Sequence, residues 1–311
     1  MTERAVRAAA PPSGQQHQLV FADQQATVVE VGGGIREYVH GDVPVLDPYA
    51  IDAMCDGAHG TPLIPWPNRL ADGRYRFGGV DHQVALTEPA KGNAIHGLLR
   101  WARWTATRHG ADGVTMAATV FPQPGYPFHL EIAVAYQLDG NGLTVTTTAT
   151  NVGGQPAPYG CGQHPYLSAG AGTVDTCELE LAGATRIVVD DRGLPIDREA
   201  VAGTPYDFRS RRPIGALEVD SAFTDLDRDG AGRARARLWR PDGTCAELWV
   251  EAAHPIIQIF TGDTLSPTRR RRGLGAEPMT CPPNALQTGE GVIALSPDAA
   301  VTTRWGVRLG A

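Results

Sequence analysis

The chain has 311 residues, 42% of them hydrophobic and 20% charged, which is enough to bury a core without disulfide or metal staples. No apolar run approaches the roughly 20 residues of a spanning helix, so no membrane partner is expected. Its 34 acids against 27 bases, a net charge of −7, exclude a polyanionic nucleic acid as a general partner and favour small ligands.

Residues 1–16, MTERAVRAAAPPSGQQ, combine charges and small residues without a continuous apolar stretch. They read as a disordered tail rather than an export signal, with the cytoplasm as the expected compartment. Residues 17–311 read as one domain. Short strand-like runs come at 18–21, 27–31, 35–40 and 113–121. In 129–138 the residues Leu130, Ile132, Val134, Tyr136 and Leu138 share one face while Glu131 and Gln137 take the other, the period of a half-buried strand. Asp139-Gly140-Asn141-Gly142 then supplies a turn into 143–151, where Leu143, Val145, Thr147 and Ala149 alternate; the pair predicts a hairpin. Further runs fall at 177–181, 233–239, 246–251, 256–260 and 301–309. The 37 glycines and 24 prolines leave few windows for a long helix. An all-β, antiparallel sandwich or barrel follows.

Negative motifs narrow the chemistry. Lys91 is the one lysine, so the G-x-x-x-x-G-K-[ST] phosphate loop cannot be written, and Gly32-Gly33-Gly34 leads into strand-like residues rather than a helix. H-E-x-x-H and G-x-S-x-G are absent as well. The five cysteines, Cys55, Cys161, Cys177, Cys245 and Cys281, are odd in number and lack C-x-x-C spacing, which predicts buried inert thiols and neither disulfides nor zinc. No cofactor and no metal are expected.

Candidate functional segments read as loops. Pro65-Trp66-Pro67-Asn68-Arg69-Leu70 sets an aromatic beside a hydrogen-bonding fork on stiff backbone, a site for a sugar; a rigid loop with a structural Arg69 salt bridge fits these residues equally. His96, in Gly92-Asn93-Ala94-Ile95-His96-Gly97, and His164, in Tyr159-Gly160-Cys161-Gly162-Gln163-His164-Pro165-Tyr166, have small neighbours that admit close approach. His17, His40, His59, His82, His109, His129 and His254 receive no role. Asp220 precedes Phe223, and Glu277 sits among apolar and small residues before several prolines. Partial burial there raises a carboxyl pKa and improves it as a base, while pairing with one of the arginines at 269–272 is the structural alternative. With reference values of about 4.3 and about 6.5, a carboxylate base and a histidine acid serve together near neutral pH. The chemistry such a set supports unaided is proton transfer.

In this order, Asn68-Arg69, Ile95-His96-Gly97, His164-Pro165-Tyr166, Asp220 before Phe223, and Glu277, the motifs resemble those of the aldose 1-epimerases, or galactose-mutarotase-like proteins, across residues 18–309. The resemblance implies a β-supersandwich with an open cleft for a free monosaccharide; a monomer or homodimer is expected. It makes Glu277 the general base at the anomeric hydroxyl and His164 the general acid at the ring oxygen, with Arg69, His96, Asp220 and Asn68 holding the sugar. Galactose-specific relatives carry an Asn-His-Thr-Tyr-Phe-type segment and a Gln-x-x-Pro-Asp-like stretch. Here the text is Gln163-His164-Pro165-Tyr166-Leu167 and Glu277-Pro278-Met279-Thr280, so galactose specificity does not carry over. Three other readings stay open. A hexose-6-phosphate 1-epimerase would use Arg269, Arg270, Arg271 and Arg272, against a solvated arginine loop. A carbohydrate-binding domain would need no acid and base. A glycoside hydrolase would pair Asp220 with Glu277.

Overall fold

A computed structural model describes residues 10–310. Every named strand pair is antiparallel, and two large sheets dominate. One runs in the order Gln16–Phe21, Gln24–Val29, Ile35–His40, Val43–Leu46, Tyr166–Ser168, Gly273–Met279, Ile256–Phe260, Asp220–Leu226, Gly183–Val189, Pro195–Ala200, with the short strands Gly162–Gln163 and Pro62–Leu63 attached. The other runs Thr105–His109, Gly113–Val120, Leu130–Asp139, Gly142–Asn151, Ala300–Gly310, Cys245–Val250, Ala234–Trp239, Glu178–Leu181, Arg212–Pro213. The all-β sandwich expected from periodicity is the observed architecture. Its one α-helix among the described residues is the four-residue Ala285–Thr288, and no helix there is long and apolar enough to cross a membrane.

Each strand run expected from alternation lies on or within a residue or two of a strand. The hairpin pairs Leu138 with Leu143 and Asp139 with Gly142, so the turn itself is Gly140-Asn141. Leu130, Ile132, Val134, Tyr136 and Leu138 are all at most 1% exposed, which is what period-two patterning requires of a face turned to the core. All five cysteines are free and buried; burial pushes the Cys281 thiol up to about 12, far from a reactive thiolate.

Two expectations change. Residues 1–9 of the tail lie outside the described residues, but residues 13–16 are tied to the sandwich: Ser13 is buried, its carbonyl accepts from the Val31 N–H at 3.0 Å, and Gln16 opens the first strand. The arginines at 269–272 form a solvated loop only in part, Arg270 being exposed. Arg271 is buried between Asp263 at 2.6 Å and Asp175 at 3.1 Å, and Arg269 donates to Asp47 Oδ2 at 2.7 Å. Arg269 and Arg271 are the two that turn inward, and each meets a carboxylate.

Candidate functional site

Cross-strand register builds the site. Tyr166 pairs with Gly275, Gly275 with Phe260, and Phe260 with Asp220, so these four stand in one row across the larger sheet. Stepping two residues along antiparallel partners brings His164 opposite Glu277, and Glu277 pairs with Gln258. Leu274 and Ala276, the intervening residues of the Glu277 strand, belong to the core, which leaves Glu277 on the opposite face. That face is covered by the segment from Gly57 to Arg100, and the two enclose a pocket lined by Asn68, Arg69, His96, His164, Asp220 and Glu277 together with Glu88, Arg100, Tyr166 and Phe260. All six candidate residues therefore converge. Their local setting differs from the expected loops: Glu277 lies inside a strand, while Asp220 and Arg69 open strands. A strand fixes a side chain more firmly than a loop, and Gly275 spares the row a Cβ that would stand 3.1 Å from the Phe260 Cβ and 3.5 Å from His164 Cε1.

His164 Nε2 stands 3.2 Å from Glu277 Oε1, and both side chains are buried. Burial first, then the charge of Arg100, lowers the imidazole to about 3. Burial, with Asp220 adding to it against Arg69, raises the carboxyl well above its usual range. Both shifts work against the ionised carboxylate and protonated imidazole that the reference values favour. Desolvation penalises both charges, which favours a neutral carboxyl beside a neutral ring. His164 Nδ1 and Glu277 Oε2 are buried without partners, an arrangement that costs stability until a ligand supplies hydrogen bonds.

Asn68 and His96 clamp each other. His96 N–H donates to the Asn68 carbonyl at 3.0 Å, and Asn68 N–H donates to His96 Nδ1 at 3.1 Å. Burial keeps His96 well below its ordinary pKa. A neutral ring whose Nδ1 accepts carries its proton on Nε2, so the free nitrogen is a donor. Single donor atoms of His96, His164 and Glu277 lie within 4.8 Å of one another; holding a metal there would require the other His96 tautomer and would strand the Asn68 N–H, so the set does not fit an ion. Both residues have positive φ, as does Gly97 at 69°, where a Cβ would lie 2.0 Å from the Ile64 carbonyl oxygen. Backbone on both sides cannot give way. Gly97→Ala is expected to destabilise by about 3 kcal/mol or more, read as a lowered thermal midpoint; a wild-type melting curve would refute the close approach.

Arg69 does what both readings of its segment asked. It lines the pocket and is forked onto Glu88, with Nε to Oε2 at 2.9 Å and Nη2 to Oε1 at 3.2 Å, while Nη1 reaches Asp220 Oδ2 at 3.4 Å. Burial works to raise Glu88, but Arg69 and then Asn93 hold its carboxyl below the usual value. Asp220 Oδ1 accepts from Gln258 at 2.6 Å. Tyr166 entered from the sequence only as part of the His164 motif, and Glu88, Arg100 and Gln258 were not singled out from it. Neither was His59, which stacks on Tyr166 at 4.0 Å, with Tyr166 stacked on His164 at 4.8 Å. The Tyr166 hydroxyl donates to the Gly57 carbonyl at 2.8 Å, so the imidazole of His164 rests on an aromatic pile anchored at its far edge. No motif spacing reports such a stack.

Comparison with known proteins matches a family model described as Aldose 1-epimerase to residues 17–306. The uncharacterized protein YihR of Escherichia coli K12 is 34% identical over 295 residues, 91% of this chain and 89% of that one. Human galactose mutarotase is 26% identical over 203 residues, 62% of this chain and 56% of that protein. Among solved structures, a GalM/aldose epimerase homologue from C. elegans superposes with a TM-score of 0.84 at 18% identity, covering 95% of this chain and 98% of that one. A putative aldose 1-epimerase from Escherichia coli K12 gives 0.81 at 22% identity, covering 95% and 99%.

Proposed function

The chain belongs to the aldose 1-epimerase family, and from that premise we propose that it is a mutarotase of carbohydrate metabolism, interconverting the α and β anomers of an aldose by opening and reclosing its ring. The observation that carries this reading is the buried His164–Glu277 contact of 3.2 Å in a pocket that also presents Arg69, His96 and Asp220.

Opening a cyclic hemiacetal moves two protons in opposite senses. The anomeric O1–H loses one as the C1–O1 bond gains double-bond character, and O5 gains one as the C1–O5 bond breaks. Glu277 takes the first and His164 gives the second. The requirement is that the pair hold one proton in total, and it is met by the neutral distribution as by the ionic one, since they differ only in where that proton sits. Hydrogen bonds from sugar hydroxyls to the pair shift the balance towards the carboxylate–imidazolium form that begins the reaction. Rotation about C1–C2 and reversal of both transfers then deliver the other anomer. His96 donates Nε2–H, Arg69 donates from its Asp220 side and Asp220 accepts, which holds the opened chain near its starting geometry; Asn68 acts through His96. Water performs the uncatalysed reaction slowly, so two positioned groups, each worth ~10²–10⁴-fold, suffice.

A purely sugar-binding domain has no use for a buried pair sharing one proton, whose desolvation lowers stability. The deciding assay follows fresh α-glucose and α-galactose by polarimetry, with an aryl glycoside in parallel. Mutarotation faster than buffer alone and an intact glycoside are expected. Cleavage of the glycoside, or no acceleration with any aldose, neutral or charged, would overturn the reading.

A further inference from the structure

Arg100 lines the same pocket, yet among the described residues its side chain makes no hydrogen bond and no ion pair, and its Nε is buried without a partner. The Trp101 ring, whose centroid is 5.6 Å from the guanidinium carbon, offers a face but no acceptor. Other inward-facing arginines are provided for: Arg69 by Glu88 and Asp220, Arg271 by Asp263 and Asp175, Arg240 by the carbonyls of Ser168 and Pro44. Glu88, whose field reaches Arg100, has both oxygens committed to Arg69. A half-buried, unpaired guanidinium is costly unless something anionic arrives.

We propose that the aldose this pocket takes carries an anionic group on its C5 substituent, bound by Arg100; the inference rests on the mutarotase reading above. Placement follows from the chemistry of the ring. O5 joins C1 to C5, so a pyranose with O1 at Glu277 and O5 at His164 projects its C5 substituent beyond His164, away from Glu277. Arg100 comes from that wall: it follows His96 by four residues in the segment that covers the pocket, and the His96 ring centroid lies 5.4 Å from that of His164. A guanidinium offers paired donors that match the oxygens of phosphate, sulfate or carboxylate. The arginines at 269–272, the anion site considered from the sequence, are absent from the pocket lining; its unpaired cation is Arg100.

The test compares kcat/KM for anomer interconversion of glucose 6-phosphate, glucose 6-sulfate and glucuronate with that of glucose, each corrected for the rate in buffer. At least one charged sugar is expected to exceed glucose by about tenfold or more, the worth of one charge-assisted hydrogen bond, with the margin shrinking as salt is added; the arm that leads identifies phosphate, sulfate or carboxylate. Arg100→Gln should collapse that ratio, and Arg100→Lys should keep part of it. Equal rates on charged and neutral sugars, or a ratio unchanged in Arg100→Gln, would overturn the inference and leave mutarotation standing. Failure to accelerate any sugar would instead remove the mutarotase reading. Should Arg100→Gln not fold, the wild-type ratio and its salt dependence decide.

Discussion

Glu277→Gln is expected to lower the rate constant for anomer interconversion by ~10²–10⁴-fold while retaining sugar binding. The amide keeps the shape of the carboxyl and a hydrogen bond towards His164 Nε2, now 3.2 Å from Oε1, but it neither takes up nor releases a proton at any pH near neutrality. The same substitution should leave the thermal midpoint unchanged or raised. Glu277 is 2% exposed with one oxygen unpartnered, and removing its ionisation removes a group that burial penalises. Functional groups held against their stability cost show this opposition of activity and stability. Polarimetry and a melting curve on one preparation read both, and full activity in Glu277→Gln would remove the carboxylate from the mechanism.

Much of this protein is legible in its sequence, for reasons that differ by residue. The strand at Leu130–Asp139 and its hairpin partner showed because one face is core and the other is not, so period two is printed in the sequence. Glu277 stood out because a carboxylate among apolar residues needs a reason, but its strand, Gly273–Met279, is buried along its whole length. Such a strand has no polar face, no alternation survives, and it reads as a loop. Asp220 and Arg69 misled in the same way at strand ends. Arg100 and Glu88 were missed because nothing local distinguishes a surface charge from one folded into a pocket; their meaning depends on which other charges arrive nearby. In the stack, Tyr166 is two residues from His164, but His59 arrives from a turn more than 100 residues away, and a partner at that separation leaves no trace in spacing.

Protonation makes the second large effect more than a repeat of the first. His164→Asn is expected to cost ~10²–10⁴-fold, since O5 would then leave without its proton donor. If the two groups act as one device holding one proton, the double variant Glu277→Gln/His164→Asn should be about as slow as the slower single variant, and the two losses should not multiply. The pH profile of the wild type carries the same logic. Falling pH adds a second proton and removes the base; because burial depresses His164 to about 3, this loss should fall well below the ordinary imidazole value of about 6.5. Rising pH strips the last proton and removes the acid, and because Glu277 is raised that loss lies above the ordinary carboxyl range. These two values belong to the pair, not to either residue. The expected profile of kcat/KM therefore has no acid limb at the ordinary imidazole value, that limb lying well below it. An acid limb centred near pH 6.5 would mean that His164 titrates as an isolated imidazole, and multiplicative losses in the double variant would mean that the two side chains work on separate steps.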